Sequence, residues 1–278
     1  MKNILWALLS FVLLGGVFGG LLALASRLFA IKRDPRIDEV TDVLPGANCG
    51  GCGYAGCGAY AEAVVEGRAK ANICTAGGDS VAKAVAEVMG VSAEKMVRMR
   101  AQVMCSGTSQ HAVKKYVYDG AQDCISAARL GGGDKLCPNG CIGLGTCVAA
   151  CKFDAIVVKD GVAAIDYDKC TGCGTCITRC PKGIIKLIPY DSAHWVGCAS
   201  EDKGAVTRKY CDVGCIGCGI CVRNCPADAI AIEGGVAVIK YDKCTGCDIC
   251  VEKCPRKIIW SRDTQSRGIT IKNPVVAE

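Results

Sequence analysis

The sequence predicts an α+β protein in three parts: one N-terminal transmembrane helix, a small helical domain, and a small α+β unit present twice, with metal standing in for much of the core. Three observations lead there. Residues 3–26 carry no charge, 24 of the 278 residues are cysteine gathered in short runs, and residues 153–185 match residues 227–259. The expected domains are an anchor over 1–30, a helical cysteine domain over 31–100, a first α+β unit with an added cysteine segment over 101–190, and a second unit over 191–278.

The first stretch, NILWALLSFVLLGGVFGGLLALAS, is long and apolar enough to cross a bilayer as one helix. Ala23 and Ala25 form an A-x-A match before Ser26, the mark of a cleaved signal. The apolar run exceeds the roughly 7–15 residues of a signal core, however, and export would carry the thiols out of a reducing compartment. Arg27, Lys32, Arg33 and Arg36 follow the span while only Lys2 precedes it, so the positive-inside bias puts the bulk of the chain in the cytoplasm. Gly15 with Gly19, and Gly16 with Gly20, give small-xxx-small spacing at which a second helix could approach closely.

A short linker containing Pro35 is expected next, then LPGANCGGCGYAGCGAYAEAVVEG, with Cys49, Cys52, Cys57 and, farther on, Cys74. Glycine lets backbone N–H groups approach sulfur, and alanine-rich stretches at 59–66 and 80–89 favour helix. This domain therefore reads as helices wrapped round one four-cysteine metal site, an iron–sulfur cube or, as the alternative, zinc.

The α+β units carry a more specific signal. Cys244, Cys247, Cys250 and Cys254 followed by Pro255 have the spacing C-x2-C-x2-C-x3-C-P. Cys215, Cys218, Cys221, Cys225 and Pro226 repeat it, as do Cys170, Cys173, Cys176, Cys180 and Pro181. This is the iron–sulfur run of bacterial ferredoxins, in which three thiolates hold one 4Fe–4S cube and the fourth reaches the neighbouring cube. Zinc ligands more often come as separated pairs with histidine; His111 and His194 are the only histidines and neither adjoins a cysteine pair in sequence, so plain polar or partly buried roles are expected of both. Each copy reads as a strand, a turn at Asp160-Gly161 or Gly234-Gly235, a second strand, a cluster loop and a short helix.

Ligand sets follow. In the second copy Cys215, Cys218, Cys221 and Cys254 hold one cube, and Cys244, Cys247, Cys250 and Cys225 the other. Cys170 pairs with Cys244 at an offset of 74, and at that offset Cys215, Cys221 and Cys225 fall on Cys141, Cys147 and Cys151, but Cys218 falls on Leu144. Cys151, Cys170, Cys173 and Cys176 still make a full set, while Cys141, Cys147 and Cys180 lack a fourth ligand. Five cysteines remain: Cys105, Cys124, Cys137, Cys198 and Cys211. The offset pairs Cys124 with Cys198 and Cys137 with Cys211, which favours a sixth cube from those four and Cys105 as the replacement ligand; Cys105 and Cys137 could exchange roles. Six cubes then use all 24 cysteines.

The formal charge of +6 omits metal. At roughly −2 per loaded four-thiolate cube, six cubes bring the total to about −6, and no concentrated basic run supports nucleic-acid binding. Cubes held by four cysteines move single electrons and leave bond-making to others. No P-loop and no dinucleotide fingerprint is present; glycine-rich segments such as GCIGLGTC lie in cluster loops, so nicotinamide chemistry belongs to a partner.

The order of an uncharged span, PGANCGGCGYAGCGAYAEAV, CSGT, GCIGLGTCVAACKFDAI and paired ferredoxin motifs resembles the RnfB family, the B component of the Rnf complex, over nearly the whole chain. The resemblance implies a bacterial inner-membrane, single-pass protein that takes electrons from reduced soluble ferredoxin on the cytoplasmic side. It also implies other membrane subunits and a flavin-bearing partner that handles NAD, with the flow coupled to Na+ or H+ export. Cys49, Cys52, Cys57 and Cys74 match the family's N-terminal cluster motif, whereas Leu144 departs from the ferredoxin pattern. A polyferredoxin of a hydrogenase-type membrane oxidoreductase and an iron–sulfur sensor are the competing readings. Six cubes exceed what sensing needs, and the N-terminal cysteine domain directly after one span fits a hydrogenase polyferredoxin less well.

Overall fold

The computed structural model describes residues 2–29, 33–92 and 96–262. Lys32 of the basic flank, and the last stretch of the second unit, 263–278, lie outside them. The described residues form ten helices and eight short strands, an α+β content as expected.

Helix α1 (Lys2–Leu28) is one uninterrupted 27-residue rod, about 40 Å at 1.5 Å per residue, more than the ~30 Å of a bilayer's hydrocarbon. Its 25-residue apolar part, Ile4–Leu28, is long and apolar enough to cross a membrane and is not buried in the protein. Nothing lies within 4 Å of where a Cβ would stand on Gly15, Gly16, Gly19 or Gly20.

The expected linker at Pro35 is instead helix α2 (Pro35–Val43). Asp34 caps it by accepting from the Arg36 N–H at 3.0 Å, and Pro35 occupies the first turn, where its missing N–H costs nothing. Val40, fully buried, packs α2 onto α3 (Cys57–Val65) and α4 (Gly78–Met89) with Tyr60, Val64, Val85 and Cys74. Helices α3 and α4 lie where the alanine-rich stretches predict them.

In the repeated units the expected hairpins are present: β2 (Ile156–Lys159) with β3 (Val162–Ile165), and β6 (Ile230–Glu233) with β7 (Val236–Ile239), both antiparallel. Each unit is closed by a second pair that links its two ends: β1 (Met99–Val103) with β4 (Ile185–Pro189), and β5 (His194–Val196) with β8 (Ile259–Ser261). The cores combine buried Val and Ile side chains with thiols. Cys141, Cys147, Cys170 and Cys176 belong to the first core, and Cys215, Cys221, Cys250 and Cys254 to the second.

The units meet at Arg100, which is fully buried. Its guanidinium donates to Gln102 Oε1 at 2.7 Å and to the Ser192 carbonyl at 3.0 Å, and stacks 3.8 Å from the Tyr167 ring centroid. Burial depresses its pKa, and Tyr167 beside it opposes that. Trp260 Nε1 donates to Ser106 Oγ at 2.9 Å across the same junction. Arg100→Met removes a buried charge and takes the guanidinium donor from the Ser192 carbonyl, while Gln102 Oε1 keeps the Tyr167 hydroxyl at 2.9 Å; the change should cost about 2–3 kcal/mol. Thermal bleaching of the visible absorbance should show a midpoint lower by roughly 5–10 °C; an unchanged midpoint would place the junction's strength elsewhere.

Candidate metal centres

All 24 thiols are free. In the α+β units each cluster loop turns through a left-handed residue before a short helix that buries the cysteine just inside it. The turning residues are Gly145, Gly174, Gly219 and Asp248; the helices are α6 (Thr146–Ala149), α7 (Thr175–Arg179), α9 (Ile220–Arg223) and α10 (Ile249–Lys253), burying Cys147, Cys176, Cys221 and Cys250. Glycine takes that conformation without a Cβ penalty; Asp248 does so with its carboxylate held 2.6 Å from Nε2 of buried His194.

The thiols gather in fours. Cys215, Cys218, Cys221 and Cys254 line a cavity with ≈ 350 Å³ of atom-free space, and Cys225, Cys244, Cys247 and Cys250 one of ≈ 340 Å³. Cys151, Cys170 and Cys173 surround Cys176 and, after burial, raise its pKa to about 12. In the helical domain Cys74 is buried beside Cys52, Cys57 and Cys49, with burial again the main cause of its raised pKa. Asn48 Oδ1 accepts from the Cys57 N–H at 2.8 Å and fixes that loop to the start of α3. These four sets are the ones the spacing predicts.

The remaining two sets differ from the expected ones. Cys124, not Cys105, shares a cavity with Cys141, Cys147 and Cys180, ≈ 350 Å³ in atom-free space. Cys105, Cys137, Cys198 and Cys211 line another of ≈ 380 Å³. Local chemistry fixes the exchange. Cys124 opens helix α5 (Cys124–Arg129), whose cap Asp123 accepts from the Thr146 hydroxyl at 2.8 Å, while Thr146 Oγ1 accepts from the Cys124 N–H at 2.7 Å. That knot ties Cys124 to the helix bearing Cys147. Cys105 leaves β1 on the other side, and its sulfur accepts from the Cys141 N–H at 3.4 Å across the wall between the two cavities.

Both cavities are lined by four cysteines, as are those built by full ferredoxin motifs. Among the described residues no three His, Cys, Asp or Glu converge on a point that would hold a single ion. Four sulfurs round each cavity, in or beside loops with the ferredoxin spacing, suit a 4Fe–4S cube. Backbone N–H groups already aim at sulfur: Ala101 to Cys170 at 3.4 Å, Ala155 to Cys151 at 3.4 Å, Ala229 to Cys225 at 3.3 Å and Cys215 to Cys198 at 3.3 Å. Burial pushes Cys141, Cys198 and Cys250 up to about 12, and Cys147, Cys211 and Cys221 to about 11. Without metal these thiols stay protonated at neutral pH, and an iron core that takes them as thiolates reverses the preference and releases protons.

Two features of the sites were missed by spacing. His194, expected to take a plain polar or partly buried role, is buried in the wall of the Cys225 cavity with Asp248, whose carboxyl it holds below the usual range; His111 pairs with exposed Asp212 at 3.0 Å. Lys135 is 3 % exposed and its Nζ donates to the Gly107 and Gly161 carbonyls at 2.7 and 2.8 Å, both neutral. It lines the Cys105 cavity and also favours the thiolate of Cys141 next door. A buried ammonium without a carboxylate is costly unless anions flank it, which four-thiolate clusters would do if bound in the two neighbouring cavities. Lys135→Met should therefore lower the potential of both centres, by about tenfold in reduced-to-oxidised ratio, which is ~59 mV for one electron. Lys135→Arg should keep it; redox-poised EPR reads both, and identical titrations for all three proteins would remove Lys135 from this role.

These features define a class: an iron–sulfur protein with paired ferredoxin-like 4Fe–4S modules behind a candidate membrane helix. Family comparison agrees, with residues 44–76 matching the family described as "Putative Fe-S cluster" and residues 140–184 and 214–259 each matching a 4Fe-4S dicluster domain. Three relatives are B components of ion-translocating complexes. The chain is 46% identical over 230 residues, 82% of it and 69% of the relative, to that of the Na(+)-translocating ferredoxin:NAD(+) oxidoreductase complex of Acetobacterium woodii. It is 46% identical over 241 residues (86% and 85%) to that of the proton-translocating ferredoxin:NAD(+) oxidoreductase complex of Clostridium ljungdahlii. With that of the ion-translocating oxidoreductase complex of Methanosarcina acetivorans it shares 43% over 231 residues (83% and 88%). The chain belongs to the RnfB family, the B components of the Rnf ion-translocating oxidoreductase complexes.

Proposed function

We propose that this chain is the electron-transfer subunit of a membrane-bound ferredoxin:NAD oxidoreductase that translocates Na+ or H+, and that it takes electrons from reduced soluble ferredoxin. When bound, 4Fe–4S clusters supply one-electron transfer; the chain's part is to hold six sites in a row. The observation that supports the reading is that each group of cysteines neighbours the next. Cys244, Cys247, Cys250 and Cys225 form one end, where Cys250 lies within electrostatic reach of Cys221 of the next site. The N–H of Cys215, in that second site, donates to Cys198 of the bridging set with Cys105, Cys137 and Cys211. Cys105 accepts from Cys141, Cys147 of that set lies within reach of Cys176, and Cys173 in turn of Cys49.

The row thus runs from the C-terminal module to the N-terminal domain, with Cys52, Cys57 and Cys74 completing its last site. Only six residues separate α1 from α2 of that domain, a reach of at most about 25 Å. Arg27 in the last turn of α1, with Arg33 and Arg36 beyond it, supports a single pass with the modules in the cytoplasm. Reduction of NAD is assigned to a flavin-bearing partner, and other membrane subunits carry the ion path. Anaerobic purification of the membrane complex and assay of ferredoxin-driven NAD reduction, with and without Na+, tests this. Ferredoxin-dependent NADH formation is expected; a complex that binds this chain yet never passes electrons from ferredoxin would refute it.

A further inference from the structure

The repeat at an offset of 74 allows the two modules to be compared position by position, and one face differs. In the first module the loop round Cys173 is covered by another cluster loop. Gly51 lies so close that a Cβ there would be 2.7 Å from the Cys173 carbonyl oxygen. Thr175 Oγ1 donates to the Cys49 carbonyl at 3.2 Å, and Lys152 Nζ donates to the carbonyls of Ala47 and Asn48 at 3.1 and 2.9 Å. In the second module the corresponding residues are Cys247, Ile249 and Pro226. Cys247 is exposed, as are Thr245 and Gly246 beside it, and nothing lies within 4 Å of where a Gly246 Cβ would stand. The face that receives a redox loop in one copy is bare in the other, at the far end of the row.

We propose that the loop from Thr245 to Ile249 is the docking site of the soluble ferredoxin, whose own cluster loop lies over Cys247 as the Cys49 loop lies over Cys173. This rests on the reading that ferredoxin reduces the chain. Cys218 is also exposed, but its site is one place in from the end of the row. Its counterpart Leu144 packs on Cys124, Ala127 and Ile142 rather than under a redox loop. The partner chemistry follows: a small iron–sulfur protein whose cluster lies under a thin glycine-rich loop, since only close approach permits transfer.

The test uses the intact complex with Thr245→Trp, which adds bulk on the exposed rim of the Cys225 cavity while keeping all four cysteines. Lys243→Trp is a second variant on the same rim, and Arg223→Trp, beside Cys218, the control. Titration calorimetry with oxidised ferredoxin should show Kd raised at least tenfold in both rim variants and unchanged in the control, with iron content and the EPR of dithionite-reduced protein as in the parent. Unchanged Kd in the rim variants, or a rise confined to Arg223→Trp, overturns the site. So does loss of a neighbouring subunit from the rim variants with ferredoxin affinity intact, which would make this face an interface within the complex. A parent complex that neither binds nor accepts electrons from ferredoxin instead overturns the reading beneath it.

Discussion

Cys198→Ser is expected to stop electrons between the two modules while leaving about 20 irons of about 24 in place. Cys198 Sγ accepts from the N–H groups of Ser200 and Cys215 at 3.4 and 3.3 Å, and it shares its cavity with Cys105, Cys137 and Cys211. Those four come from both modules, so the bridging set is the only contact in the row that joins them among the described residues. Serine keeps the volume and loses the thiolate. In rapid-mixing reduction by ferredoxin, the C-terminal centres should fill at the parent rate and the N-terminal centres at least a hundredfold more slowly. Equal rates throughout would mean that the bridge is not on the path.

Removal of iron is expected to have the largest structural effect. The two hydrophobic cores of the modules are built in good part from the ligands themselves: Cys141, Cys147, Cys170 and Cys176 in one, Cys215, Cys221, Cys250 and Cys254 in the other. Strands of three to five residues add little of their own. Ligation free energy is therefore folding free energy here. Acid or chelator treatment under argon should abolish the strand signal in circular dichroism and make residues 99–262 open to protease, while α1 remains helical in detergent. Reconstitution with iron and sulfide should restore it. Retention of native protease resistance without iron would show that the chain has a sufficient core of its own.

Much of the structure was legible because its causes are local. Uncharged length gives α1, the spacing C-x2-C-x2-C-x3-C-P gives the cluster loops, and Asp160-Gly161 and Gly234-Gly235 give the hairpins. What sequence reading missed depends on distant partners. Strand β1, MRAQV, alternates apolar and polar residues over only five positions, yet Arg100 and Gln102 are buried at the junction along with the apolar ones, and its partner is a strand more than 80 residues on. The exchange of Cys105 and Cys124 turns on Thr146, whose hydroxyl ties α5 to α6; internal symmetry alone pointed the other way. Asp34-Pro35 is a cap followed by a first-turn proline, a helix start that looks like a linker when only the proline is weighed. Lys135 gave no local sign of burial.

The claim that thiols alone organise this chain is tested most directly by metal analysis of the anaerobically purified protein. About 24 irons and as many acid-labile sulfides per chain are expected, with Cys124→Ser and Cys105→Ser each losing about four irons from different EPR signals. Eight irons or fewer in the parent, or stoichiometric zinc in place of iron, would contradict it.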